Sequence, residues 1–79
     1  ALQSNDHKQR FLHIHRNMPG ILKDINFVFT DKRINIAAEY LQTDGEIGYV
    51  IIDTESGLDP EVLRDLKKIP NTIRARMLY

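Results

Sequence analysis

The fold is decided by residues 13–20, whose sequence is HIHRNMPG, and by the amphipathic run that follows them at once. The alternation that ends near Arg16 predicts a strand, Asn17 to Gly20 predict a polar turn, and the run after Gly20 predicts a helix. Such a junction directs free backbone N–H groups and the positive end of a helix dipole toward one point. The imidazole of His15 and the carboxamide of Asn17 would border that point, which is typical of a site for a small anionic or zwitterionic ligand.

The composition limits the class of protein and of partner. A chain of 79 residues is long enough for one small domain, and a domain of that size has a small free energy of unfolding. Its 11 basic and 11 acidic residues give zero formal charge, so neither nucleic acid nor an anionic membrane surface is favoured as a partner. Cysteine is absent, which excludes disulfides and thiolate catalysis and is consistent with a reducing, cytoplasmic location. The expected partner is a small molecule or another protein.

The start of the chain differs in composition from the rest. Residues 1–9 carry almost no apolar side chains, and we expect a disordered lead or the remnant of a linker there. The domain is then expected to span residues 10–79. Ala1 in place of Met indicates a processed chain or a fragment of something longer.

Alternation of apolar and polar residues predicts four strands. They are expected at residues 11–15, 34–41, 47–53 and 72–79, and Asp44-Gly45 predicts a hairpin turn between the second and third. On the first strand, Leu12 and Ile14 share one face and oppose Phe11, His13 and His15. On the second strand, one face is expected to carry Ile34, Ile36, Ala38 and Tyr40, and the other Asn35, Ala37, Glu39 and Leu41.

Two apolar stripes at helical spacing predict two helices. The first stripe consists of Ile21, Leu22, Ile25, Val28 and Phe29, and the second of Val62, Leu63, Leu66 and Ile69. Lys23, Asp24 and Lys32 are expected to point outward from the first helix. Asp59 is predicted to cap the second helix ahead of Pro60, and Pro70 is predicted to end it.

The element order β-α-β-β-α-β predicts an α+β, ferredoxin-like sandwich. Right-handed crossovers then give a four-stranded antiparallel sheet in the order 4-1-3-2, with both helices on one face. The second strand lies at an edge of this sheet. Because an exposed apolar edge favours pairing with another chain, residues 34–42 are predicted to join two copies side by side.

The candidate ligand residues are His15, Asn17 and Asn35, which we expect at one end of the sheet. Asn17 and Asn35 have a second interpretation, as turn and strand-start residues that only satisfy backbone groups. Gly20 either permits close approach of a ligand carboxylate or belongs to an ordinary turn. The residues alone leave these alternatives open.

Other chemistries receive little support. His13 and His15 point the same way, but two ligands are too few for a metal site, and His13 is expected to be packed or on the surface. Paired catalytic carboxylates, a glycine-rich phosphate loop and a nucleophile elbow are not found, so a binding module is predicted rather than an enzyme. An acylphosphatase-like enzyme would need an arginine after the first strand, where Arg16 is the one candidate.

The remaining charged and aromatic side chains are interpreted as surface features. Arg74 and Arg76 are expected to form a solvated charge network with Glu39 on one sheet face. Tyr40 and Tyr49 could stack on bases, but the signature of RNA-recognition sheets is missing.

Four segments in order give a specific resemblance. They are residues 13–22 (HIHRNMPGIL), 34–43 (INIAAEYLQT), 48–53 (GYVIID) and 69–79 (IPNTIRARMLY). Over about residues 11–79 the chain resembles the C-terminal regulatory ACT domains of bacterial D-3-phosphoglycerate dehydrogenases. Arg16 and Met18 occupy positions that vary within that family.

The resemblance implies a domain that binds L-serine as a feedback inhibitor across a dimer interface. It assigns contacts to His15 and Asn17 of one subunit and to Asn35 of the neighbour. It also implies that Gly20 and the amides of Ile21 and Leu22 lie beside the ligand. The domain itself would hold no cofactor, whereas the implied parent enzyme is an NAD-dependent oxidoreductase. The alternative is a ferredoxin-like module that only dimerises a larger protein.

Overall fold

A computed structural model of the chain describes residues 9–55 and 60–79. Four strands and two helices occur in the predicted order: β1 (Gln9–Arg16), α1 (Ile21–Asp31), β2 (Ile36–Asp44), β3 (Ile47–Thr54), α2 (Glu61–Lys68) and β4 (Thr72–Met77). The strands form one antiparallel sheet in the order β2-β3-β1-β4. This is the predicted order counted from the other edge, so the predicted ferredoxin-like fold is confirmed.

The chain enters and leaves its helices at the predicted glycine and proline. Gly20 has φ +84°, a left-handed conformation that costs glycine little, and α1 begins at the next residue. Ile69 is extended with ψ 131°, because a residue before proline avoids the helical region, and α2 therefore ends at Lys68. Pro60 has helical φ and ψ just before α2. The capping role predicted for Asp59 lies outside the described residues.

The core lies between the two helices and one face of the sheet. Phe11 on β1 meets Phe29 on α1 edge to face, with ring centroids 5.5 Å apart and planes at 67°. Val50, Ile52 and Ala75 add the inner faces of β3 and β4. Both helices contribute to this single cluster, through Ile21, Ile25, Val28 and Phe29 of α1 and Val62, Leu66 and the adjoining Ile69 of α2. Each predicted apolar stripe therefore faces the sheet.

The predicted alternation along β2 is wrong. A bulge interrupts the register, because Ile36 pairs with Thr54 and Ala38 already pairs with Asp53. Beyond the bulge Glu39 pairs with the fully buried Ile52. Since paired residues share a face, Ile36 and Glu39 both face the helices, and Ala38 faces away. Strict alternation places these residues incorrectly because its period of two holds only in an unbulged strand.

The bulge also overturns the charge network predicted between Glu39, Arg74 and Arg76. Arg74 and Arg76 pair with Ile14 and with Leu12, on the face away from the helices. Glu39 lies on the helix face of β2, which is the opposite edge of the sheet from β4. The two arginines and the glutamate therefore lie on opposite faces of the sheet and at its opposite edges.

Lys32 does not point freely outward as predicted. Its Nζ lies 3.2 Å from an Asp65 carboxylate oxygen and 3.6 Å from one of Glu61, and its side chain is 14% exposed. The stem covers the junction of the helices while the ammonium joins the end of α1 to α2. The periodicity of α1 could not show this, because the partners belong to the other helix.

Two phenylalanines on α1 provide a matched test of this core. Phe29 is 0% exposed and Phe27 is 63% exposed. We expect Phe29→Ala to lower the free energy of unfolding by about 3–5 kcal/mol, because it removes buried surface and leaves a cavity. Phe27→Ala should change it by less than about 0.5 kcal/mol. Urea denaturation measures both, and equal losses would contradict the described packing.

Candidate functional site

The loop between β1 and α1 is attached to the tip of the β2–β3 hairpin. The Asn17 N–H donates to the Glu46 carbonyl at 2.8 Å, and Asn17 Nδ2 donates to the Gly45 carbonyl at 3.4 Å. Gly45 has φ +65° and occupies the predicted turn, which places the hairpin tip beside the loop. Asn17 itself is exposed. Its carboxamide therefore remains accessible at the end of the sheet where β1 and β2 finish.

The start of α1 lies next to this loop. Gly20 is its N-cap and provides no side-chain hydrogen bond, and the Ile21 N–H donates weakly to the Met18 carbonyl at 3.3 Å. Ile21 is buried and Leu22 is partly buried, so their side chains pack inward. Only their backbone N–H groups are candidates for contact with a ligand. First-turn amides have no partner within a helix, which suits an anionic group.

His13 and His15 form a buried pair on the helix face of β1. Their Nδ1 atoms lie 3.4 Å apart, and the side chains are 0% and 1% exposed. His13 Nε2 lies 2.9 Å from Thr72 Oγ1 and 3.3 Å from the Leu66 carbonyl. The Thr72 hydroxyl donates to that same carbonyl at 3.2 Å.

The proton positions of this pair follow from its partners. A carbonyl only accepts, and the Thr72 hydroxyl already donates, so His13 Nε2 carries the proton. His13 Nδ1 is then an acceptor, and His15 Nδ1–H donates to it. This arrangement leaves a lone pair on His15 Nε2. The neutral His15 therefore presents a hydrogen-bond acceptor at Nε2.

Gly48 makes room for His15, which the sequence analysis did not recognise. The two residues are cross-strand partners, and a Cβ on Gly48 would collide with His15 Nε2. Because β3 lies between β1 and β2, the ring extends over β3, on the side of β1 that faces β2. A glycine inside a strand, where it weakens the strand, was the signal for such a close approach.

Burial keeps both imidazoles neutral. Desolvation lowers the pKa of His13 to about 4, and the neighbouring His15 acts in the same direction. Desolvation also lowers the pKa of His15 from its ordinary value. Near pH 7 the pair therefore carries no charge, in agreement with the proton positions above.

Asn35 does not share an end of the sheet with His15, and that expectation is wrong. Both β1 and β2 pair antiparallel with β3, so they run in the same direction. Arg16 and Asp44, the last residues of the two strands, both pair with Ile47. Asn35 precedes β2 and lies at the opposite end, about 25 Å away along the strands. Within one chain, the structure brings Asn17 near the region of His15 but leaves Asn35 remote.

Asn35 borders a cleft of its own. Its carbonyl accepts the N–H of Glu55 at 3.0 Å, and its side chain is exposed. The cleft has a volume of about 430 Å³ and lies between α1 and the start of β2. Its lining residues are Asn26, Thr30, Arg33, Ile34, Asn35, Ile36 and Glu39.

Other ligand classes are judged on the described residues only. Across the two described ranges, no group of three or more His, Cys, Asp or Glu side chains is placed to hold a metal ion. Neither helix in those ranges is long and apolar enough to cross a bilayer. Arg16, the candidate anion-binding arginine, is exposed at the end of β1.

A family model described as "AHAS small subunit-like ACT domain" matches residues 11–74. The chain belongs to the ACT domain family. It is 49% identical over 79 residues to D-3-phosphoglycerate dehydrogenase of Haemophilus influenzae, covering 100% of this chain and 19% of that protein. It is 49% identical over 73 residues to the enzyme of that name from Escherichia coli strain K12, covering 90% and 18%. The resemblance found in the sequence is thereby confirmed.

The fold of this ACT domain agrees with solved structures. The ACT domain from the GTP pyrophosphokinase of Chlorobium tepidum superposes with a TM-score of 0.78 at 13% identity, covering 91% of this chain and 97% of that one. At that identity the likeness concerns the fold alone. The chain spans about a fifth of the length of the curated relatives named above.

The buried pair gives this ACT domain a characteristic acid response. A histidine with a lower pKa in the folded than in the unfolded chain binds protons on unfolding, so stability is lost as pH falls through the interval from 6.5 toward 4. We expect His13 to contribute a loss of about 2 kcal/mol between pH 7 and pH 5. Titration of the imidazole resonances by NMR should give His13 a pKa near 4.

The matched control for this response is His13→Gln, which keeps every carboxylate. Its stability should fall less between pH 7 and pH 5 than that of the unchanged chain, whatever its stability at pH 7. A His13 pKa close to 6.5, the ordinary value, would contradict the buried neutral pair.

Proposed function

We propose that this ACT domain is the regulatory part of a D-3-phosphoglycerate dehydrogenase and binds free L-serine in the seam between two copies. Relatives with that enzyme name, 49% identical to this chain, support the parent activity. The residues that the resemblance assigns to the effector are all present, as His15, Asn17, Gly20, Ile21, Leu22 and Asn35.

The observation that carries the proposal is the placement of Asn35. It lies remote from His15 within one chain, so a site that uses both residues needs a second copy. β2 is an edge strand of the described sheet, and Tyr40 and Leu41 on it are 57% and 50% exposed. Two identical edge strands related by a two-fold axis pair antiparallel. Such pairing would bring the start of one β2 beside the end of the other.

Antiparallel pairing would thereby assemble the site. The end of β2 is the hairpin tip, and Asn17 is hydrogen-bonded to the Gly45 carbonyl there. Asn35 of a second copy would approach this tip, while His15 Nε2 reaches toward it over Gly48. Each two-fold pair would form two equivalent sites.

A zwitterionic amino acid with a hydroxyl group suits the chemistry of these groups. Its carboxylate would accept hydrogen bonds from the start of α1 and from Asn17 Nδ2. Its hydroxyl would donate to the lone pair on His15 Nε2. Its ammonium would donate to the carboxamide oxygen of Asn35 in the second copy. Serine carries this set of groups in the smallest space.

Regulation follows from linkage between serine and the seam. A ligand that contacts both copies binds the paired arrangement more tightly than a separated one and shifts the population toward it. In the parent enzyme this would restrict the domain motion that NAD-dependent oxidation of the substrate requires. NAD would be bound outside this domain, and the cytoplasm is the proposed location. Dimerisation without an effector is the competing function, and it predicts pairing with no serine binding.

Calorimetric titration with L-serine tests the proposal. We expect Asn35→Ala to weaken binding about tenfold or more, since a buried ammonium loses its acceptor. The His15→Ala variant should bind serine no more tightly than it binds L-alanine, because the serine hydroxyl then has no acceptor. Sedimentation with and without serine should show tighter pairing when serine is present.

Asn71→Gly is the matched control for loss of a carboxamide. Asn71 is exposed with φ +74°, which glycine adopts freely, and it lies beside β4. Its removal should leave serine affinity unchanged. If the wild-type chain pairs but shows no heat of binding in the calorimetric titration with serine, the effector site is refuted.

A further inference from the structure

Two buried oxygen atoms in the cleft beside Asn35 have no hydrogen-bond donor among residues 9–55 and 60–79. Asn26 on α1 hydrogen-bonds to the Glu39 carboxylate on β2. Within the described part of the chain, Asn26 Oδ1 and Glu39 Oε2 are buried and unpartnered. The Asn26 amide nitrogen is therefore the atom that donates to Glu39. Asn26 Oδ1 and Glu39 Oε2 are both acceptors, so a ligand or another chain would have to provide their hydrogen-bond donors.

This arrangement is costly for the domain alone. Burial raises the pKa of the Glu39 carboxyl, and the hydrogen bond from Asn26 offsets only part of that effect. A buried acceptor without a donor costs free energy, so native structures rarely keep one. The bulge at Ala37 creates the arrangement, because it turns Glu39 toward the helices. Functional sites are where such local bulges are common.

The cleft has a place for a ligand next to these acceptors. It measures about 430 Å³, within the usual range for small-molecule sites. Asn35 lines it together with Asn26 and Glu39, and Arg33 lies at its exposed rim. A group with several N–H donors and a positive charge would satisfy both oxygens and the carboxylate at once. A primary ammonium has these properties.

We propose that Glu39 and Asn26 form an ammonium subsite that, with Asn35, receives the α-ammonium of the amino-acid effector. This inference rests on the proposed function and extends it to two residues outside the assigned contacts. In the paired arrangement the start of β2 meets the α1 start of the other copy, which takes the carboxylate. The subsite therefore selects amino acids and rejects hydroxy acids that have the same carboxylate and hydroxyl groups.

Calorimetry with L-serine and with glycerate, in which a hydroxyl replaces the ammonium, tests the subsite. Glu39→Gln keeps the shape and one acceptor but removes the charge. We expect its affinity for serine to fall about tenfold or more, and its affinity for glycerate to stay the same or rise. Asp31→Asn removes one negative charge at the exposed end of α1 and should leave both affinities unchanged.

The stability of the free chain separates this role from a structural one. Because Glu39→Gln removes a partly desolvated charge that Asn26 compensates only in part, its resistance to urea without ligand should equal or exceed that of the unchanged chain. Equal loss of serine and glycerate affinity, or unchanged serine affinity, would overturn the subsite. Serine binding lost in Asn35→Ala but kept in Glu39→Gln refutes the subsite alone. A wild-type chain that binds no serine refutes the subsite together with the proposed function.

Discussion

The antiparallel pairing of β3 with both β1 and β2 sets the geometry on which the other features depend. It makes β1 and β2 run in the same direction, so the end of one lies far from the start of the other. Groups placed at those two points cannot meet inside a single copy. The same topology leaves β2 at an edge, where its free backbone groups can pair with an identical strand. Separation within the chain and the open edge together favour a site shared by two copies.

The interior combines a small apolar core with polar groups that a stability-driven design would avoid. His13 and His15 are buried where apolar side chains would pack more favourably, and burial keeps both imidazoles neutral by lowering their pKa values. Glu39 is held partly out of water with one oxygen unpartnered in the described part of the chain. A domain of this size has little stability to lose. Ligand binding is a physical reason for such groups to persist, because function commonly costs stability.

Sequence periodicity predicted the features that depend on regular repetition. The helix stripes, the Asp44-Gly45 hairpin and the stop at Pro70 are local signals, and the strand order followed from handedness rules. The side of β1 that carries His13 and His15 was also correct, since β1 is regular across those residues where it pairs with β3. These features fixed the fold and placed His15 and Asn17 near the start of α1.

The features that sequence missed depend on irregularity or on contacts between distant elements. The bulge at Ala37 has no alternation signal, and it alone decides that Glu39 faces the helices. The end of the sheet at which Asn35 lies is an exception, because the predicted antiparallel order already makes the first and second strands run in the same direction and so separates the end of one from the start of the other. The proton positions of the histidine pair need Leu66, which is distant in sequence. Lys32 likewise finds its acidic partners on another helix.

Mixing two defective chains tests the shared site most directly. His15→Ala chain and Asn35→Ala chain are each expected to bind serine poorly alone. After unfolding and joint refolding, a mixed pair has one site with both wild-type residues and one with neither. The account predicts that serine binding returns at about a quarter of the wild-type number of sites, with wild-type affinity. No recovery in the mixture, alongside full binding by wild-type chain treated in the same way, would contradict a site built from two copies.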